Sequence, residues 1–373
     1  MAPPPRVHAI HSAAVLAMVA WAAACGDSQG SNPVGRLVLS PPWSSIDVRR
    51  DSVRARFIRA AGDTVRADSV RWSSSDMGIA TITAAGLIRP RAVGRTTIRG
   101  AIGDEPASLS VTITDPVLVG AGDMGSCASR NDEATAVLID SIAGTVFTVG
   151  DNDYSDGPLP TAYGICFDSS WGRHKPRLHP APGDDDLRSG TLGSYFAYFG
   201  AAAHGPTGYY SYELGSWHIV VLATTPFADS TQVRWLREDL RDHPSLCTLA
   251  ISHRPRFSSG NAHSAATQGP IFQALFDAGA EILLSGNDHD YERFAPQAPD
   301  QTLDQGSGVV QLVVGTGGKS HGTINLPLEP NSLAQNDDSY GVLKLTLHED
   351  GYDWRFIPVA GRSFTDAGSA ACH

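Results

Sequence analysis

Cysteine is scarce in this chain: there are five in 373 residues and none in a CxxC pair, which excludes the thiolate zinc sites that depend on that spacing. Charged residues make up only 18%, and no basic block suited to a nucleic-acid backbone stands out. There is no biased repeat. The apolar stretch at residues 13–24 is too short to cross a bilayer as a helix. With 42% hydrophobic residues over this length, the composition excludes disordered and fibrous classes and allows two globular domains.

The short apolar stretch follows Arg6 and ends in Ala-Ala-Ala before Cys25, which is the pattern of an export signal over residues 1–25. It resembles a bacterial lipoprotein signal in which Cys25 carries the lipid, with residues 26–34 as a flexible tether. Ala22 stands where Leu is usual in that motif, so cleavage with release to the periplasm or the exterior stays open. The other four cysteines, Cys127, Cys166, Cys247 and Cys372, allow two bridges in any of three connectivities, as suits an exported chain.

Charge divides the remainder. Residues 36–116 hold 12 basic and 8 acidic side chains, whereas residues 117–373 hold 15 and 30. So acidic a domain repels phosphate-bearing ligands unless bound cations invert the local field, which is itself a hint of metal.

Residues 35–116 contain six short β-type runs between turn signals: RLVLS, ARFIRA, DSVRWSSSD, IATITAAGLIRP, GRTTIRGAI and SLSVTITD. That is the patterning of an all-β sandwich. Within it Trp72, the SSSD segment, Ala80-Thr81-Ile82, Gly86-Leu87 and Gly94 resemble the bacterial immunoglobulin-like group 2 domain. The resemblance implies a spacer or adhesive module with no catalytic group.

Residues 117–373 alternate strands with three helix-patterned segments, at 131–144, 229–243 and 269–280, the first two opening on Asn131 and Asp229 as cap candidates. The expected fold class is α/β (α+β): two packed β-sheets flanked by helices, with a closing hairpin across Glu349-Asp350-Gly351. Four apolar runs, VLVGAGD, TVFTVGD, CTLAISH and LLSGNDHDYER, end abruptly in ligand-type side chains. α/β proteins place their chemistry at the carboxyl ends of buried strands, so Asp123, Asp151, His253, Asn287 and His289 are expected on one rim of one sheet. Tyr154 is expected to turn its phenol to the same rim, and alternation along an extended segment would put Asn287 and His289 on one side. Singly, each cluster is a turn former or cap; together they fit a bimetal centre.

The series GDMG, GDNDY, PGDDD, AISH and GNDHDYERF resembles the five-motif pattern of calcineurin-like metallophosphoesterases of the purple acid phosphatase type, over all of residues 117–373. That resemblance implies two divalent or trivalent metal ions. The first, iron, would be held by Asp123, Asp151, Tyr154 and His289, all of the family's residue type. The second, manganese, magnesium, zinc or iron, would share Asp151 and take Asp184, His253 and Asn287. Asp184 and Asn287 replace the family's Asn and His, which shifts this site towards oxygen donors. Asp185 replaces the His that assists the leaving group. Asp185 and His253 are the candidate catalytic groups. Only a protonated Asp185 could donate, and crowding of Asp184, Asp185 and Asp186 is expected to raise their pKa values, favouring activity at acid pH. The plain alternative is that PGDDD is a solvated acidic loop.

Other residues carry less. His218 is expected as a packed core histidine, and His174, His179, His204 and His263 as exposed loop residues. Arg254, Arg256 and His263 lie where they could touch a substrate phosphate, and Tyr291, Glu292 and Arg293 are expected to support His289. The implied function is an exported metal-dependent phosphoesterase, an acid phosphomonoesterase using a metal-bound hydroxide on a small phosphate ester. The alternatives are a phosphodiesterase or nucleotidase on the same scaffold, and a non-catalytic surface lipoprotein with a degenerate phosphatase domain. Membrane contact would come only through a lipidated Cys25, and nothing in the sequence sets an oligomeric state.

Overall fold

The computed structural model describes residues 35–40, 46–48, 52–154, 161–187, 190–223, 230–262 and 264–373. Cys25, the signal and the tether lie outside these residues, as does His263.

Residues 36–114 form two four-stranded sheets. One holds strands Arg36–Ser40, Val53–Ile58, Leu87–Pro90 and Ala80–Ile82; the other holds Ile46–Asp47, Glu105–Thr114, Gly94–Ile102 and Arg71–Ser74. In Val53–Ile58 every second side chain is buried, so that Val53, Ala55 and Phe57 meet Ile88, Ile98, Val111 and Ile113 in a closed core. The expected all-β sandwich patterning is present.

Beyond residue 116 the chain builds two larger sheets. The six-stranded sheet runs in the order Leu178–His179, Thr145–Thr148, Val117–Ala121, Gly341–Leu347, Gly351–Pro358, Ala367–Ala371. The seven-stranded sheet runs Tyr210–Leu214, Trp217–Val221, Cys247–Ile251, Ile282–Ser285, Val310–Val314, Tyr291–Phe294, Ser332–Asn336. Four neighbouring strands of the second sheet, from Trp217–Val221 to Val310–Val314, are parallel. Their runs are apolar on both faces because both faces are covered. Leu118, Leu249, Ile251, Ile282 and Leu284 point between the sheets. Val119 and Ala121 point outwards, under Ala136 and Ile139 of helix Asn131–Asp140. Val220, Ala250 and Leu283 point outwards under Leu236 of helix Ser230–Asp242 and Ile271, Phe272 and Leu275 of helix Gly269–Asp277.

All three helix segments therefore form, but Asn131 is the first residue of its helix; the capping position is Arg130, with no side-chain cap bond. Asp229 is outside the described residues. The closing hairpin joins Gly341–Leu347 to Gly351–Pro358, and Ala367–Ala371 adds an edge strand that its small residues, AGSAA, did not signal. Bridges join Cys127 to Cys166 and Cys247 to Cys372, which selects one of the three connectivities. The second ties the buried strand Cys247–Ile251 to the chain's end across 125 residues. Long closed loops restrict the unfolded chain most, so replacing Cys247 and Cys372 together by alanine is expected to cost about 2–5 kcal/mol, read as a lower denaturant midpoint. An unchanged midpoint would show that the bridge contributes nothing to stability.

Candidate metal centre

The four ligand-bearing strand ends meet, but not on one sheet. Asp123 and Asp151 follow strands Val117–Ala121 and Thr145–Thr148 of the six-stranded sheet, whereas His253 and Asn287 follow Cys247–Ile251 and Ile282–Ser285 of the seven-stranded one. The expectation of one rim of one sheet is corrected: the centre spans the carboxyl ends of two sheets packed face to face. Hydrogen bonds cross between them, among them Gly122 N–H to the Val314 carbonyl at 3.0 Å. His253 Nδ1 donates to the Val149 carbonyl at 2.9 Å, and the Asn287 N–H donates to Asp123 Oδ2 at 3.0 Å.

Three of these residues turn the chain through the left-handed region without being glycine: Asp123 at φ 58°, Asp151 at φ 49° and Asn287 at φ 67°. Such conformations are costly for residues with a Cβ and persist where the surroundings demand them, which at a buried ligand cluster points to function. Residues 287–290 form a bend, so Asn287 and His289 are not paired by strand alternation as expected. What Asn287 demonstrably supplies is its backbone N–H.

Two groups of side chains result. In one, the Tyr154 hydroxyl donates to Asp123 Oδ1 at 2.7 Å and lies 3.1 Å from His289 Nε2, which is 3.3 Å from Asp123 Oδ1. In the other, His253 Nε2 lies 3.3 Å from Asp151 Oδ1 and 3.0 Å from Asp184 Oδ1. The approach to Asp184 is off the hydrogen-bonding direction, and both His253 Nε2 and Asp184 Oδ1 are buried without a hydrogen-bond partner. One ligand atom each from Asp123, Asp151 and His253 lies within 4.8 Å of the others, a spacing that a metal ion can span.

The charges match this reading. Burial opposes protonation of His253, but the Asp151 charge and contacts with Asp151 and Asp184 hold the imidazole well above its ordinary pKa. Burial also opposes ionisation of Asp151 and Asp184, yet His253 keeps both below the usual carboxylate range, with Arg254 helping at Asp184. Tyr154 is pushed far up by burial and by the charges of Asp123 and Asp151, so without a cation it stays a neutral donor. A cation between these groups would relieve the carboxylate crowding, take the place of the His253 proton and satisfy the two orphaned atoms. The residues present therefore fit a metal.

The acidic loop is only partly solvated. Asp184 is 38% exposed, but Asp186 is buried and accepts from Gly183 N at 2.7 Å, Asn152 Nδ2 at 2.9 Å and the Tyr163 hydroxyl. Burial first, then the Asp151 charge, pushes Asp186 up to about 7. Asp184 and Asp186 thus move in opposite directions, a correction to the expected common rise. The Asp185 N–H donates to Asp151 Oδ1 at 2.8 Å.

Other expectations change too. His289 Nδ1 is 2.7 Å from Ser320 Oγ, while Tyr291 and Arg293 bond Asp366 and Glu292 accepts from Ser259; the expected support from the YER segment is overturned because those side chains leave the strand elsewhere. Arg254 Nη2 lies 3.0 Å from Asp184 Oδ2, and the Arg256 guanidinium lies over Phe257. His174 is buried against the Ala136 carbonyl and is not an exposed loop residue. Sequence reasoning missed Ser320, Asn152 and Lys319, whose Nζ sits 4.3 Å over the Tyr154 ring. The one available signal was Lys-Ser following the glycines of VVGTGG, directly after a strand.

The architecture is α/β, two packed sheets flanked by helices, and solved structures share it. It superposes on GAP50, titled the anchor in the inner membrane complex of Plasmodium, with TM-score 0.57 and 13% identity over 70% of this chain and 90% of that one. It also superposes on the purple acid phosphatase PPD1 of yellow lupin, with TM-score 0.54 and 13% identity over 90% of this chain and 74% of that one. No protein-family model matches the chain. In sequence it is 28% identical over 153 residues to purple acid phosphatase 21 of Arabidopsis thaliana, covering 38% of this chain and 35% of that protein. It is 27% identical over 143 residues to purple acid phosphatase 22 of the same plant, covering 36% and 32%. The chain spans about a third of the length of these curated relatives.

The centre depends on close backbone approach. A Cβ on Gly286 would sit 2.5 Å from Asp123 Oδ2, and one on Gly183 would collide with the backbone N and Oδ1 of Asp151. Gly286→Ala and Gly183→Ala are each expected to lower bound metal per chain by elemental analysis while leaving the far-ultraviolet circular dichroism unchanged. Full metal content in both would show that carboxylate placement tolerates the shift.

Proposed function

We propose that the chain is an exported metal-dependent phosphoesterase acting on small phosphate monoesters at acid pH. The observation that carries this reading is the approach of the two side-chain groups, Asp123–Tyr154–His289 and Asp151–His253–Asp184, with one ligand atom each of Asp123, Asp151 and His253 within 4.8 Å of the others and with His253 Nε2 and Asp184 Oδ1 buried without a hydrogen-bond partner. The similarity to purple acid phosphatases supports it.

In this reading Asp123, Asp151, Tyr154 and His289 would hold iron, and Asp151, Asp184, His253 and Asn287 would hold manganese, magnesium, zinc or iron. Bound metals would supply charge neutralisation at phosphorus and an acidified water. The protein's own groups do the rest. Val149 fixes the His253 tautomer through Nδ1, leaving Nε2 directed at the centre. The Asp185 and Asn287 N–H groups each hold one carboxylate oxygen in place, and Asp185 in its protonated form would give a proton to the leaving oxygen. The sandwich at residues 36–114 would serve as an immunoglobulin-like spacer, and Cys25 would carry the lipid anchor. A phosphodiester or nucleotide substrate on the same centre is the nearest variant of this reading.

One observation favours a non-catalytic alternative: Arg254 neutralises Asp184, a carboxylate the second metal would use, beside two positions that depart from the family pattern, Asp185 and Asn287. The fold itself does not decide, since it is shared with a protein titled an anchor.

Elemental analysis with hydrolysis of p-nitrophenyl phosphate, from acidic to neutral pH with iron, manganese, zinc or magnesium supplied, separates the two. Two metals per chain, a purple ferric-tyrosinate band and turnover abolished in Asp151→Asn are expected. One metal or none, with no turnover under any addition, would sink the enzyme reading. The double variant Asp185→His with Asn287→His is expected to raise turnover about 10-fold or more, by restoring a general acid and an imidazole ligand. Unchanged turnover in a folded, metal-loaded double variant would count against those two roles.

A further inference from the structure

A separate set of ligand-type side chains lies between an edge of the seven-stranded sheet and the helix that covers it. His218, on strand Trp217–Val221, is 1% exposed; Asp239, on helix Ser230–Asp242, is 8% exposed; His243 follows four residues later, just past the helix end, with its N–H on the Asp239 carbonyl at 2.9 Å. His218 Nε2 is 2.8 Å from Asp239 Oδ2, and His243 Nδ1 is 3.3 Å from Asp239 Oδ1. One ligand atom from each of the three residues lies within 4.8 Å of the others. Donors on a tetrahedral ion at bond lengths of about 2.0–2.1 Å are roughly 3.3 Å apart; the His243–Asp239 separation matches that, and the 2.8 Å His218–Asp239 contact, a hydrogen-bond distance, has to open slightly to admit the ion.

The surroundings are built for orientation. The far nitrogen of His218, Nδ1, is 2.7 Å from Glu213 Oε1, an arrangement that fixes the tautomer and strengthens Nε2 as a donor. Ser211 Oγ donates to Asp239 Oδ1 at 2.8 Å, which sets the carboxylate plane. Two imidazoles and one carboxylate favour a borderline transition ion over magnesium or calcium.

We propose that His218, Asp239 and His243 form a second metal site for a single zinc-class divalent ion, oriented by Glu213 and independent of the centre at the strand ends. The ion joins helix to sheet, and its fourth position faces solvent beside His243. His243 Nδ1 now donates to the Asp239 carbonyl at 3.0 Å, and its ring lies 11° from parallel with that of His218, centroids 5.2 Å apart. Its side chain is 52% exposed, so it turns about its own torsions to bring a nitrogen to the ion without moving the helix. On loading, the ion takes the place of the His218–Asp239 contact, and any proton on His218 Nε2 leaves to solvent.

The test is zinc titration of the chelator-stripped full chain by calorimetry, in the Asp151→Asn background so that the strand-end centre is weakened, comparing added His243→Gln and Glu213→Gln. His243→Gln is expected to remove one zinc equivalent and the accompanying rise in melting temperature. Glu213→Gln is expected to retain the site with about 10–100-fold weaker affinity. Equal zinc stoichiometry and affinity in all three proteins would overturn the proposal and leave the cluster as a hydrogen-bonded network. Both substituted side chains are more than half exposed, so folding is not at stake, and circular dichroism verifies it. Because the readout is zinc binding, the result stands whether or not the chain hydrolyses phosphate esters.

Discussion

The carboxylates of Asp123, Asp151 and Asp184 converge at the carboxyl ends of two sheets, where burial opposes the ionisation of Asp151 and Asp184 and the Asp151 charge adds to that opposition at Asp184. Everything else about the larger domain is arranged around keeping them there. Backbone N–H groups of Asn287 and Asp185 hold Asp123 and Asp151, the His253 imidazole lies between Asp151 and Asp184, and glycines at 183 and 286 let the chain come close enough to do so. A cation is the simplest compensation for the remaining negative charge, and the orphaned His253 Nε2 and Asp184 Oδ1 mark where its ligands end.

Rigidity comes from the apolar layers. Leu118, Phe147, Val149, Leu249, Ile251 and Leu284 fill the space between the sheets and leave no freedom for one sheet to slide on the other. Strand ends that belong to different sheets are therefore held in fixed relation, and the strained backbone at Asp123, Asp151 and Asn287 is sustained by that packing. The acidic loop is held from below: Asp186 is tied to Gly183, Asn152 and Tyr163, which leaves Asp184 aimed at His253. Asp184 and Asp186 thus differ because Asp184 meets His253 and Arg254, whereas Asp186 is buried among the donors of Gly183, Asn152 and Tyr163.

The same physics recurs at His218, a histidine between two carboxylates at a helix–sheet junction. There the pattern WHIVVL gives no sign of it, since Glu213 and Asp239 lie on a neighbouring strand and on a helix 21 residues further along. A buried histidine is ordinary in a sequence; its partners are what distinguish it.

Strand runs that are apolar on both faces, helix periodicity and the abrupt change to Asp, His and Tyr at four strand ends are local properties, and they were legible in the residues alone: the α/β class, the sandwich at residues 36–114 and most of the centre's side chains follow from them. Burial on both faces leaves an unbroken apolar run whatever the strand's neighbours are, so that signal survives without knowledge of the fold. Which sheet each strand joined, the pairing of the four cysteines, the partner of His289 and the divergent fates of Asp184 and Asp186 were decided only by tertiary structure. Each of these depends on contacts between residues tens to hundreds of positions apart, and pKa values and ligand geometry are set by that distant company, not by neighbours in the chain.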